Sequence, residues 1–96
     1  MTVKSFKLIS GEEVVATVVT TLNPTGYTLR KPHILQFQQV APGQLGLAFI
    51  PWTLSNPDID TVEIPTSAVI SVFEPAAKVE KQYLEQTSGI SLVSSI

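Results

Sequence analysis

The 96-residue sequence has no cysteine, one histidine and one tryptophan, and only 15% of its residues are charged, against about 25% in an average globular domain. Without cysteine there is no disulfide framework and no thiolate metal site. With a single histidine, neither a Cys–His catalytic pair nor a multi-histidine metal centre can form within one subunit. No apolar stretch approaches the roughly 20 residues of a membrane span. The short apolar run after Met1–Lys7 is unlike a signal peptide, so an intracellular, cytoplasmic protein with no membrane role is expected. Six Lys and Arg against eight Asp and Glu give a net charge of −2, which argues against gripping nucleic acid by bulk positive charge. Gly43 and Gly46 flank Gln44-Leu45 without the lysine or helix that a phosphate loop requires. Asp58 and Asp60 supply too few oxygens for a hard cation, which needs about six. The expectation is a non-enzymatic chain with no cofactor and no metal.

What is present is apolar and uneven. An apolar fraction of 44% excludes a disordered tail, and the length fits one domain. A chain this small buries only about 60–65% of its unfolded surface, which leaves apolar surface for a partner subunit. No charge occurs from Val14 to Leu29, and none from Pro32 to Pro57 apart from His33. Within the second gap, Leu45-Gly46-Leu47-Ala48-Phe49-Ile50-Pro51-Trp52 is apolar on both faces, whereas a half-exposed strand alternates. Such a strand is either central in a closed barrel or part of a subunit interface, and both are expected here.

Seven prolines punctuate the chain at short intervals, a spacing that suggests an all-β sandwich or barrel. Strands are predicted over 3–9, 13–22, 27–40 (bent near Lys31-Pro32), 45–52 and 69–73, with 61–64 extended. His33 reads as a strand residue with a satisfied ring. A helix is predicted over 75–88, with Pro75 at its first position and an acid–base pair Glu74/Lys78. Its apolar stripe is Ala76, Val79 and Tyr83, flanked by Leu84. Gly89 reads as the stop signal, leaving 89–96 as a tail. The fold expected from these signals is mainly β, a sandwich or barrel over 1–74 with the helix packed on it. An OB-fold or SH3-like domain is the alternative small barrel.

Two segments resemble the Sm-like family, the small barrels that include the LSm proteins and bacterial Hfq. Phe6-Lys7-Leu8-Ile9-Ser10-Gly11-Glu12-Glu13-Val14-Val15-Ala16-Thr17-Val18 is similar to the family's first motif, with Gly11 at the turn and Ala16 where a second glycine is usual. Ile64-Pro65-Thr66-Ser67-Ala68-Val69-Ile70-Ser71-Val72 is similar to the second, a short turn feeding the final strand. Together they cover about a quarter of the chain. A helix after the last strand resembles Sm-like proteins of cyanobacterial viruses, which would make the protein virus-encoded and active in a bacterial host. The resemblance implies a small, strongly bent five-stranded barrel and a homo-oligomeric ring of five to seven subunits, closed by pairing of the fourth strand of one subunit with the fifth strand of the next. The interface residues it points to are Leu45, Leu47, Phe49, Ile50, Trp52, Val69 and Val72.

The resemblance also implies single-stranded RNA at the ring pore, held by two loops. Bases stack on flat side chains, amides read base edges and cations meet phosphates. The candidates are Asn23 and Tyr27 in the first loop, Thr66 and Ser67 in the second, and Arg30, which a ring would repeat as a belt. Asn23 and Tyr27 read equally as turn and core residues. Thr66 and Ser67 stand where relatives carry Arg-Gly or Lys-His, so the second loop offers hydroxyls and no cation. Two functions follow: a ring scaffold that binds single-stranded RNA, or a structural, protein-interaction ring.

Overall fold

The computed structural model describes residues 2–19 and 25–88. The chain forms strands β1 (Thr2–Leu8), β2 (Glu13–Val19), β3 (Gly26–Ala41), β4 (Gln44–Pro51), β5 (Thr61–Pro65) and β6 (Val69–Phe73), then helix α1 (Ala77–Ser88). A single 3-10 turn, Thr66–Ala68, joins β5 to β6. All pairings are antiparallel, in the order β4-β3-β2-β1-β6, with β5 also on β3.

Turn chemistry sets the hairpins. Gly11 closes β1–β2 at φ 97°, its N–H donating to the Leu8 carbonyl at 2.9 Å. Gly43 closes β3–β4 at φ 75° after Pro42, the pairing of residues that a type II turn requires.

The shape comes from one bend. Lys31 has φ 49°, a left-handed conformation that is rare for a long side chain, and Pro32 has no N–H to give the ladder. The bend divides β3. Gly26–Arg30 pair with β5 and His33–Ala41 pair with β4. On its other side β2 follows both halves, with a bulge between Val15 and Thr17 opposite the bend. Ala16, fully buried, sits in that bulge, where a bent strand has least room.

The bent sheet has two apolar faces and two cores. Phe6, Leu8, Val14, Ala16, Leu29 and Ile64 fill the first, with Tyr27, Trp52 and Val69 packed on it. Val3, Val15, Phe49 and Tyr83 form the second, with Leu35 and Val79 beside them. The second core belongs to α1, whose Tyr83 is fully buried. β2 and β4 are therefore apolar on both faces partly because the helix covers one of them within the subunit.

The structure departs from expectation in several places. There are six strands rather than five, because 61–64 pairs as a strand with the first half of β3. The helix starts two residues later than expected: the Ala76 carbonyl accepts from Val79 and Glu80 N–H, making Ala76 the N-cap, with Pro75 before it. Ala76 is exposed, so the stripe that packs on the sheet is half-buried Val79 and buried Tyr83. Glu74 meets Lys4 at 3.4 Å across the sheet. Residues 20–22, Asn23 and the 89–96 tail lie outside the described residues.

Candidate interaction surface

The bend is held from the helix side by one hydroxyl. Tyr83 Oη accepts the Thr17 N–H at 3.1 Å and lies 3.0 Å from the Lys31 carbonyl and 3.1 Å from the Arg30 carbonyl, to which it can donate. Thr17 flanks the bulge, so the hydroxyl fills a gap that Lys31-Pro32 opens in the β2–β3 ladder. His33 Nδ1 is 2.8 Å from the Lys31 carbonyl, and its ring stands edge-on to Tyr83. Lys31 Nζ donates to the Thr87 carbonyl at 2.9 Å, placing a cation at the negative end of α1. Burial raises the Tyr83 pKa above the ordinary tyrosine value, and the hydrogen bonds from Thr17 pull it partly back.

The same helix guards β4. Gln82 donates to the Leu47 carbonyl at 3.4 Å and Gln86 to the Phe49 carbonyl at 2.9 Å. The spacings match: four helical residues rise about 6 Å and two strand residues about 6.6 Å. Trp52 N–H donates to the Pro32 carbonyl at 3.0 Å, so even-numbered backbone groups face β3 and the odd carbonyls of Leu47 and Phe49 face outward to the glutamines.

The other two edges differ. Among the described residues β5 pairs only with β3, and β6 pairs only with β1. β6, Val-Ile-Ser-Val-Phe, carries no charge. Ile70 is 64% exposed, with Val72, Phe73 and the adjoining Ile9 also exposed. Unpaired N–H and C=O groups beside exposed apolar side chains are what another strand pairs with.

The residues expected at an interface separate accordingly. Val72 and Leu45 are exposed, whereas Phe49 is 5% exposed and packs against Tyr83 inside the subunit. Leu47 and Ile50 are half-buried on β4. Val69 packs on the first core, and so does Trp52, whose indole N–H reaches the Glu12 carboxylate at 3.3 Å. Sequence reasoning missed Ile70 and Phe73, although both lie in an uncharged strand, and it missed Gln82 and Gln86, whose four-residue spacing has meaning only once β4 lies beside the helix.

The two loops compared with RNA-binding loops do meet: Thr66 N–H donates to the Thr25 carbonyl at 3.0 Å. Thr66 and Ser67 are exposed there, near a shallow cavity of about 240 Å³ lined by Thr25–Thr28 and Glu63–Pro65. Tyr27 is half-buried, its ring edge-on to Phe6 at 5.2 Å. Arg30 points to the opposite face of β3 from Tyr27 and pairs with Asp60 at 3.1 Å. Thr66 and Ser67 are thus brought beside the first loop, and Arg30 is not.

Among the described residues, no three metal-ligating side chains come together and no helix is long and apolar enough to cross a membrane. No protein-family model matches the chain, and no curated protein matches it.

Proposed function

We propose that this protein is an Sm-like barrel subunit that assembles into a homo-oligomeric ring and serves as a protein-interaction scaffold. The observation that carries the reading is the pair of edges left open among the described residues, β5 on one side and the uncharged, apolar β6 on the other. In the ring, β5 of one subunit pairs with β6 of the next, so every such edge is closed. The outer carbonyls of β4 at Leu47 and Phe49 are already taken by glutamines, which moves the proposed contact from β4 to β5. Fold alone assigns no function.

A single-stranded RNA role is the second reading, favoured by the contact between Thr66 and Thr25. It would rest on Thr66, Ser67 and Asn23, with stacking on Tyr27 requiring that ring to leave Phe6.

Size-exclusion chromatography with light scattering tests the ring. The mass should be a discrete multiple of 10.4 kDa, and Ile70→Lys should reduce it to one subunit while the circular dichroism spectrum is retained. A wild-type monomer refutes the assembly. Fluorescence anisotropy with short U-rich and A-rich RNA at low salt separates the two roles. Binding that weakens with salt and in Tyr27→Ala favours the RNA reading, and no change in anisotropy removes it.

A further inference from the structure

β3 outruns β2. The β2–β3 ladder reaches Val14 opposite Ile34, whereas β3 continues to Ala41 with β4 as its one strand partner there among the described residues. Residues 36–40 are all exposed, so the hairpin ends in a two-stranded arm, an arrangement of marginal stability when left alone. Trp52 N–H donates to the Pro32 carbonyl, and the register runs unbroken from His33–Pro51 to Gln39–Leu45, so the even-numbered backbone groups of β3 face β4. The N–H and C=O groups of Phe37 and Gln39 face the other way, into the line that β2 vacates, and no strand meets them among the described residues. A groove of about 720 Å³ lies over the same stretch, with Leu35, Phe37, Leu45 and Leu47 as its floor and Val79 as its helical wall. Phe37 is 72% exposed and Leu45 71%, an apolar patch of the kind that marks an interaction site. Two charges line the groove, half-buried Glu13 where β2 ends and exposed Lys78 on α1. Neither side chain has an ion-pair partner among the described residues.

We propose that this slot takes an extended segment of a partner protein, added to β3 beside Phe37 and Gln39, with large apolar side chains at alternate positions and a Lys or Arg at the end beside Glu13. In strand addition the main-chain hydrogen bonds give affinity and the alternate side chains give selectivity. Lying antiparallel to β3, the segment runs toward Glu13, so the base is at its C-terminal end. The middle is uncharged, because a charge over the leucine and phenylalanine floor would leave water without a partner, and Lys78 repels a second base. A second copy of this chain fits less well. Pairing two β3 ends about a two-fold axis brings Ala41-Pro42-Gly43 of one copy toward Glu13 of the other, and both carboxylates stay without a cation. The inference rests on the protein-interaction reading of the function and not on the ring.

The test uses random heptapeptides displayed on phage and selected on the immobilised full-length protein. The enriched family should alternate large apolar with small or polar residues and end in Lys or Arg. Its consensus peptide, labelled with fluorescein, should bind saturably in an anisotropy titration. Gln39→Pro removes one outward N–H and spares the β3–β4 ladder, so affinity should fall about two- to tenfold. Glu13→Gln should weaken binding about two- to fivefold, and Phe37→Lys should abolish it, with all three circular dichroism spectra matching wild type. Ile70→Lys should bind as wild type does, so a monomeric wild type in light scattering would end the ring and leave this result standing. No enriched family, or a peptide that binds Gln39→Pro and Phe37→Lys as tightly as wild type, overturns strand addition at β3. Loss of binding in Ile70→Lys alone would move the peptide to β6 and overturn it equally. An Ile70→Lys dimer that Phe37→Lys reduces to single subunits would show a second copy on the arm, which also refutes the partner assignment.

Discussion

Replacing Tyr83 with phenylalanine removes one oxygen from the centre of the molecule and leaves the ring against Phe49 and His33. The Lys31 carbonyl keeps its contact with His33 Nδ1 at 2.8 Å, but the Thr17 N–H loses the hydroxyl it donates to. Leaving a buried donor unsatisfied costs about 1–3 kcal/mol. In a domain of this size each kcal/mol shifts the melting temperature by about 4–8 °C, so Tyr83→Phe should melt about 4–24 °C lower. The loss should be local as well: hydrogen exchange at Thr17 should accelerate more than at Val14, which lies away from the bulge. Tyr83→Ala, which also deletes the ring, should cost about 3–5 kcal/mol. The ionisation of the hydroxyl adds a pH signature. Its folded pKa is raised by burial, so near and above pH 10, the ordinary tyrosine value, the unfolded chain holds fewer protons than the folded one. Stability from this group is complete below about pH 10 and is lost as pH rises through the folded pKa. Wild type should therefore lose stability in that window faster than Tyr83→Phe, and the gap between them should narrow. A Tyr83→Phe protein with unchanged melting temperature and unchanged Thr17 exchange would refute the role given to the hydroxyl.

Five other substitutions separate the contributions of backbone, edge and core. Gly26→Ala places a Cβ 2.6 Å from the Ile64 carbonyl oxygen, a backbone atom that cannot step aside, and should cost about 1–3 kcal/mol in denaturant titration. Gly46→Ala, which meets only a Val40 methyl at 2.9 Å, should cost less. Gln86→Ala should lose about 0.5–1.5 kcal/mol, and Gln82→Ala, at the longer and exposed contact, about 0.5 kcal/mol or less; light scattering of the double variant should show added concentration-dependent association through the uncovered β4 edge. Phe49→Asp should cost about 4 kcal/mol or more by burying an unpaired carboxylate, so its circular dichroism spectrum should report unfolding, in contrast to the folded Ile70→Lys subunit.

Much of the architecture was legible along the chain because it follows from local chemistry. Gly11 and Gly43 turn where glycine's freedom is needed, the β-branched run after Glu13 forms β2, and Lys31-Pro32 bends β3 because proline cannot serve the ladder. The 3.6-residue spacing of Val79 and Tyr83 announced α1. The candidate surface was less legible. Leu45–Trp52 was expected at a subunit interface because it is apolar on both faces, yet Phe49 lies in the subunit's own second core. A strand records only that both of its faces are dry, and not whether a helix or a neighbour dries them.

Composition and spacing by themselves determined a small, mainly β chain with a C-terminal helix, poor in charge and without the residues for thiolate chemistry. These are properties of residue type and short-range period, so they survive without coordinates. Only the tertiary structure decided that 61–64 is a sixth strand, that Tyr83 bridges the break in the β2–β3 ladder, and that Gln82 and Gln86 close the β4 edge while β5 and β6 stay open among the described residues. Each depends on bringing together residues far apart in sequence, Thr17 with Tyr83 and Leu47 with Gln82. That proximity comes from the bend at Lys31 and the docking of α1, and no local pattern encodes it.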